Sequence, residues 1–145
     1  MTALWTVAEV VQATGGRAEG VAGELPLNAV SIDSRDVPEG ALFVAIKGER
    51  LDGHDFVTQA LASGAAAAIV SEEHFKAHGG ARVIVVADTL RALELLGQAA
   101  RTRSPAFVDA VTGSAGKTTT KEAIRTVLQA AGSTHFSIKS FNNHW

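Results

Sequence analysis

Ala106-Phe-Val-Asp-Ala-Val-Thr-Gly-Ser-Ala-Gly-Lys-Thr-Thr-Thr120 decides the reading of this chain, because it joins an apolar run to a glycine-rich turn and that turn to a helix. The run Ala106 to Thr112 predicts a buried strand. Beyond the turn, Ile124, Val127, Leu128 and Ala131 recur at helical spacing, which predicts a helix from Lys117 to about Ala131. Between strand and helix, Gly113, Ser114, Ala115 and Gly116 let backbone N–H groups converge on an anion at the positive end of the helix dipole. Lys117 supplies a point charge for β- and γ-phosphates, Thr118 a hydroxyl for Mg²⁺, and Thr119 completes the loop. The spacing is the short Gly-x-x-Gly-Lys-Thr form, since the longer Walker pattern wants a glycine where Val111 stands. The alternative is a glycine-rich turn with an exposed lysine. A loop of this type specifies a nucleoside triphosphate and leaves the reaction open.

Upstream, Thr6 and Glu9 have capping-box spacing and Trp5 and Val10 that of a hydrophobic staple, so a helix is predicted from Val7 with Val7, Val10 and Val11 inward, ended by Gly15-Gly16. A polar, glycine-rich loop leads to a strand near Asn28 to Asp33. A second alternating strand, Ala41 to Lys47, follows the turn Pro38-Glu-Gly40, with Leu42, Val44 and Ile46 on one face and Phe43, Ala45 and Lys47 on the other. Asp55 is read as the cap of a helix with Val57, Ala60, Leu61 and Gly64 inward. Ala65 to Val70 and Arg82 to Val86 read as buried strands, and Asp88 as the cap of a helix carrying Leu90, Leu93, Leu96 and Ala100. Downstream of the phosphate loop, a last strand is expected near Thr134 to Ile138. Alternating strands and helices predict an α/β fold with parallel pairing, divided into residues 1–86, a connecting helix and boundary over 87–105, and the beginning of a second sheet over 106–145.

Composition narrows the function classes. The 145 residues are 46% hydrophobic and 19% charged, an ordinary globular balance, and 13 basic against 15 acidic residues leave a formal net charge of -2. No excess positive field is available for a nucleic-acid backbone or an anionic membrane, so any phosphate contact is local. The absence of cysteine excludes disulfide and thiolate chemistry. The amino terminus carries Glu9 where a signal peptide would be apolar, and Ala65 to Val70 is too short to span a bilayer, so neither export nor membrane insertion is expected.

The short phosphate loop is preceded by Ser31-Ile-Asp-Ser-Arg35, by Pro38-Glu-Gly-Ala-Leu-Phe-Val-Ala-Ile-Lys-Gly48 and by Asp52-Gly-His-Asp-Phe56. In this order the two blocks resemble the Mur ligases, over nearly the whole chain. Lys121-Glu122 and Ser140-Phe-Asn-Asn143 look more like the members that add D-alanyl-D-alanine than like those that add earlier amino acids, the runner-up being the member that adds the third. The resemblance implies an amino-terminal substrate domain followed by the start of a P-loop, parallel-sheet domain that binds ATP and Mg²⁺. It implies as substrates UDP-N-acetylmuramoyl-tripeptide and D-alanyl-D-alanine, joined through an acyl phosphate, in a cytoplasmic enzyme that is monomeric when full length. Mur ligases have three domains, so the remaining metal ligands and the adenine pocket are expected outside these 145 residues, and the chain alone is expected to be inactive. A reading from another class is a stand-alone UDP-sugar or nucleotide-binding module that performs no chemistry.

Individual residues keep two readings. Arg35 reaches a diphosphate or braces the loop by pairing with Asp33 or Asp36, and the resemblance favours Ser31, Ser34 and Arg35 at the uridine diphosphate pocket. Lys47, at a strand end, either meets the same phosphates or is solvated. His54 hydrogen-bonds the nucleotide or holds its loop. His74 and His78 have the i, i+4 spacing of a helical metal pair but no evident third ligand, and are read as surface histidines. Asn142 and Asn143 are turn residues or, by the resemblance, substrate-side groups.

Overall fold

The computed structural model describes residues 3–137, and the chain divides into two units, Met1–Ser104 and Pro105–Trp145. In the first, β1 (Trp5–Thr6) runs into α1 (Val7–Thr14), followed by β2 (Arg17–Glu19), β3 (Pro26–Leu27), β4 (Ala29–Ser31) and β5 (Ala41–Val44). Then come α2 (Val57–Ala62), β6 (Ala67–Ser71), α3 (Glu72–Phe75), β7 (Val83–Val86) and α4 (Thr89–Arg103). The second unit holds α5 (Lys117–Ala131).

Side-chain alternation along three short strands sets the layers of the first unit. Leu42, Val44, Ala67, Ile69, Ile84 and Val86 pack into one core with Val7 and Val10 of α1 and Ala92 and Leu96 of α4. Their alternates Phe43, Ala45, Ala68, Val70, Val83 and Val85 pack into a second core with Val57 and Ala60 of α2. Strands covered on both faces have no use for polar alternation, which is why they read as unbroken apolar runs. The five-stranded sheet has the order β2-β7-β6-β5-β4. The four strands from β4 to β7 are mutually parallel, and β2 closes one edge antiparallel to β7. Arg17 of β2 forks onto Glu72 of α3, with Nη2 donating to Oε1 at 2.9 Å, and so ties that edge strand to a helix end.

Helix ends follow side-chain chemistry. The Thr6 N–H donates to Glu9 Oε2 at 2.7 Å while the Glu9 N–H donates to Thr6 Oγ1 at 3.3 Å, and Gly15 ends α1 in the left-handed region at φ 70°. Asp88 Oδ1 accepts from the Arg91 N–H at 2.9 Å and caps α4. That helix is bedded in the first unit, with Ala92 and Leu96 buried and the Arg103 guanidinium 3.6 Å from the Trp5 ring centre.

Several expectations are corrected. Asp52, and not Asp55, is the cap: its carboxylate accepts from the His54 N–H and starts a 3₁₀ turn, Gly53–Phe56, that feeds α2. The antiparallel pair β1 and β3 and the edge strand β2 lie where the sequence suggests helix flank and loop, because two or three residues carry no readable period. In the second unit, α5 has the predicted limits, but neither Ala106 to Thr112 nor the described part of Thr134 to Ile138 forms a strand. A strand is held by ladder bonds to a neighbour, and among the described residues of this unit neither run has one. Phe107 is accordingly 89% exposed, and α5 buries none of its residues.

Ile69, fully buried at the centre of the sheet, gives the direct test of the layering. Ile69→Ala is expected to destabilise the chain by about 2–5 kcal/mol in urea unfolding with an unchanged slope, whereas a loss under 1 kcal/mol would mean that the first core is not packed as described.

Candidate functional site

Because β4, β5, β6 and β7 are parallel, their carboxyl ends share one edge of the sheet, the edge at which open α/β sheets gather ligands. The segments after Ser31 and after Val44 leave it from neighbouring strands. Ser31 Oγ accepts from the Asp33 N–H at 3.2 Å and lies 3.0 Å from the Asp36 carbonyl, to which it donates, closing the turn after β4. Arg35 sits outside that turn, 84% exposed at its side chain, with Nε and Nη2 donating to the two Asp33 carboxylate oxygens at 2.8 and 2.7 Å. This pairing, which raises Arg35 above its ordinary value through the Asp33 hydrogen bond, is the bracing alternative. The fork remains at the surface, where an incoming diphosphate can compete for it. Ser34 is half-buried in the same turn.

After β5, which ends at Val44 and not at the expected Lys47, the chain makes a small hairpin. The Gly53 N–H donates to the Ile46 carbonyl at 2.9 Å, Lys47 and Asp52 form an antiparallel bridge, and the Gly48 N–H donates to the Leu51 carbonyl at 2.9 Å. Gly53 has to be glycine, since a Cβ there would lie 2.6 Å from the Ile46 nitrogen and 2.8 Å from its carbonyl oxygen. Lys47 is exposed on this hairpin, beside the turn that carries Arg35 in strand order.

His54 holds the base of the hairpin. Its ring is 3% exposed, Nε2 accepts from the Ser71 N–H at 3.0 Å, and Nδ1 lies 2.6 Å from Asp52 Oδ1. An acceptor at Nε2 puts the hydrogen on Nδ1, which therefore donates to Asp52. Both nitrogens are spent inside the protein, so of its two readings the structure carries the loop-holding one. His74 stacks on the same ring, centroids 3.9 Å apart and planes 14° from parallel, with its Nδ1 2.8 Å from Ser71 Oγ and its Nε2 3.5 Å from Asp52 Oδ2. The reading of His74 and His78 as surface histidines is thus corrected: α3 stops at Phe75, both are partly buried, and both gather on His54. The signal that could have found this is the Asp-x-His triplet followed by a strand end carrying Ser-x-x-His.

Asp52, His54 and His74 bring potential ligand atoms within 4.8 Å of one another. The stack argues against a metal, because an ion bound about 2 Å from an imidazole nitrogen lies in the ring plane, and two nearly parallel planes at this separation share no such point. The cluster is a hydrogen-bonded brace. Burial alone would raise Asp52, but the His54 backbone and ring hydrogen bonds and the nearby histidines bring its carboxyl below the ordinary value. His78 is held below its ordinary 6.5 by burial and then by His54 and His74. A depression of about 430 Å³, lined by Glu39, Gly40, Gly64, Ala65 and Arg82 among others, opens at the opposite edge, where the parallel strands begin. It lies away from all these groups.

In the second unit the candidate phosphate loop, Gly113 to Thr119, has a backbone that can receive an anion. Gly113 and Gly116 take positive φ of 151° and 75°, Ser114 and Ala115 bend between them, and no side chain caps the first turn of α5. The Lys117 ammonium folds back onto the Gly113 carbonyl, and Thr118 and Thr119 are exposed in the first helical turn. Exposed helix N–H groups, a lysine at the loop mouth and a free-standing hydroxyl suit a phosphate with its Mg²⁺. Lys121 donates to the Ser137 carbonyl at 2.7 Å, and Arg125 lies 3.7 Å from the Phe136 ring centre, so the segment after α5 returns along the helix. Asn142 and Asn143 lie outside the described residues.

Residues 26–106 match the Mur ligase family, catalytic domain, and residues 111–145 match the Mur ligase middle domain. The chain is 38% identical over 138 residues, 95% of its length, to the UDP-N-acetylmuramoyl-tripeptide–D-alanyl-D-alanine ligase of Escherichia coli strain K12, and spans 29% of that relative. It is similar to a crystal structure of MurF from Acinetobacter baumannii, with a TM-score of 0.72 at 40% identity, covering 87% of this chain and 28% of that one. A MurF ligase structure from Thermotoga maritima in complex with ADP has a TM-score of 0.51 at 37% identity, covering 70% and 23%. Among the described residues, no helix is long and apolar enough to cross a membrane.

Two measurements check the brace. Gly53→Ala forces the hairpin off Ile46 and is expected to lower the urea midpoint and to expose the Lys47 to Asp52 segment to proteolysis, where wild-type resistance would contradict the tight approach. The depressed His78 contributes stability that is present above pH 6.5 and lost as pH falls through its folded value, and the depressed Asp52 adds a second loss below its ordinary 3.8. The unfolding midpoint should therefore decline from pH 6.5 downward, less steeply in His78→Gln, and an identical slope in that variant would refute the assignment.

Proposed function

The chain belongs to the Mur ligase family, and from that premise we propose that it supplies the nucleotide-anchoring unit and the phosphate loop of an ATP-dependent ligase. The ligase joins D-alanyl-D-alanine to UDP-N-acetylmuramoyl-tripeptide in cytoplasmic synthesis of the peptidoglycan precursor. The observation that carries this reading is the match over 95% of the chain to a relative of that name. Both blocks of candidate residues fall inside the match.

Roles follow from the geometry. The edge turn bearing Ser31, Ser34 and Arg35 and the hairpin bearing Lys47 receive the UDP end, with Arg35 exchanging its Asp33 carboxylate for a diphosphate and Lys47 adding charge. In this reading the substrate domain extends through α4, which is packed into the first core, and residues 105–145 are the start of the ATP-binding domain. When bound, ATP and Mg²⁺ would supply the phosphoryl group and the countercharge, so that the substrate's terminal carboxylate takes the phosphoryl group with release of ADP and the amine of D-alanyl-D-alanine then displaces phosphate and loses a proton as the amide forms. The backbone N–H groups from Gly113 to Thr119 would hold the phosphates, Thr118 would offer an oxygen to the metal, and Lys117, which donates to the Gly113 carbonyl, would exchange that partner for phosphate oxygens and neutralise their charge. Asn142 and Asn143 are assigned to the substrate side.

In a ligase carrying this chain, Lys117→Ala is expected to cut kcat by a factor on the order of a hundred or more, with KM for the UDP-linked substrate little changed. Wild-type turnover in that variant would remove the phosphate-loop assignment. The 145-residue chain by itself is expected to bind UDP-N-acetylmuramoyl-tripeptide and to form no pentapeptide product with ATP, Mg²⁺ and D-alanyl-D-alanine, because catalysis requires all reacting groups to be held within bonding reach together. Product formed in proportion to the chain, and lost on Lys117→Ala, would show that these residues suffice. Binding of UDP-sugars without discrimination for the muramoyl peptide would favour a plain nucleotide-binding module.

A further inference from the structure

We propose that Lys121 and Arg125, joined through Glu122, are positioning residues: they grip successive residues of the segment after α5 and lead it along the helix toward the phosphate loop, and this register, not nucleotide binding, is what they contribute to turnover. The part concerning turnover rests on the functional reading above, whereas the grip rests on side-chain geometry alone.

The pair Lys121-Glu122 stands out in the sequence but has no part in the roles assigned so far. In a helix whose residues are otherwise exposed, Lys121, Glu122, Ile124 and Arg125 are half-buried. The segment that follows covers this face, with Thr134 and Phe136 half-buried and His135 and Ser137 exposed. The Arg125 guanidinium lies 3.7 Å from the Phe136 ring centre, and the Lys121 ammonium donates to the Ser137 carbonyl at 2.7 Å. Glu122 stands between the two cations, 3.6 Å from Lys121 and 3.0 Å from Arg125. Like charges four residues apart on a helix repel, and this carboxylate lets both project over the same face.

The order of the contacts gives the direction. Lys117, Lys121 and Arg125 follow one another at about 6 Å along the helix axis, and the segment meets Arg125 first, at Phe136, and Lys121 next, at Ser137. It therefore climbs the helix toward Lys117. Backbone from Thr134 to Ser137 belongs to no strand, so two cationic side chains hold a course that ladder bonds do not. The two lysines divide the work. Lys117 is exposed and folds onto the loop, where a phosphate can take it, whereas Lys121 is committed to the Ser137 carbonyl. Lys121 is thus no second phosphate ligand. Its loss disturbs the path of the chain that leads on to Asn142 and Asn143, assigned above to the substrate side, and leaves the loop's hold on nucleotide intact. A misplacement of about 1 Å at a reacting centre lowers a rate by about a hundredfold.

The grip is tested on the whole 145-residue chain. Nuclear Overhauser contacts should join the Lys121 Hε protons to the Ser137 Hα, and the Arg125 Hδ protons should carry a ring-current shift that disappears in Phe136→Leu. The Kd for ATP with Mg²⁺ should rise about tenfold or more in Lys117→Ala and change by less than about twofold in Lys121→Met. In a ligase carrying this chain, Lys121→Met should lower kcat about tenfold or more with KM for ATP within about twofold of wild type. Lys121→Arg, which can still donate to the carbonyl, should recover most of that loss, and Arg125→Ala, which removes the other grip, should lower kcat in the same way. Missing Lys121 to Ser137 contacts, nucleotide affinity lost in Lys121→Met, an unchanged kcat in Lys121→Met or Arg125→Ala, or no recovery in Lys121→Arg would each overturn the proposal. Contacts present in a chain that binds no ATP would instead overturn the functional reading and the turnover half of this proposal.

Discussion

Burial of the central strands on both faces is the constraint from which the first unit follows. Phe43, Ile69 and Ile84 are each less than 2% exposed, and with their alternates they demand cover on two sides. Helices α1 and α4 supply one layer and α2 with the α3 turn the other. The connections through α2 and α3 are crossovers that keep β5, β6 and β7 parallel, and parallel strands deliver their carboxyl ends to one edge. The chemistry-bearing turns are at that edge because of the packing, and not through any attraction among themselves.

What the packing leaves undetermined is the shape of those turns, and here short polar bonds take over. Ser31 closes one turn on the backbone of Asp33 and Asp36, and the Asp33 carboxylate holds Arg35 in a fork that is fully formed yet exposed. Gly53 lets the hairpin lie on Ile46 at a distance no side chain tolerates. His54 braces its hairpin as Asp33 and Arg35 brace their turn, with the difference that its ring is buried. An exposed fork is cheap to exchange for a ligand phosphate, and a buried brace is costly to break. That contrast separates candidate binding groups from the groups that position them.

Much of this was legible in the sequence where period and capping speak. Thr6 with Glu9, Asp88, the apolar runs of β5 to β7 and the limits of α5 all follow from spacing. The misses have physical causes. Strands of two or three residues such as β1, β2 and β3 carry no period. Asp52 and Asp55 are equally plausible caps on paper, and only the Lys47 bridge selects the first. The His54 and His74 stack joins residues twenty positions apart through the end of a strand, so neither i, i+4 spacing nor composition points to it. In the second unit the helix was read correctly because its bonds are internal, whereas Ala106 to Thr112 needs a neighbouring strand and among the described residues has none.

Docking of the UDP-linked substrate at the carboxyl edge of the parallel strands is the claim on which the assigned roles depend. Titrating UDP-N-acetylmuramoyl-tripeptide into the isotopically labelled chain and following backbone amide shifts locates the contact without assuming turnover. This placement predicts saturable shifts concentrated from Ser31 to Asp36 and from Ile46 to His54. Shifts concentrated instead around Glu39, Gly64 and Arg82, in the depression at the opposite edge, or no saturable shift at all, would contradict it.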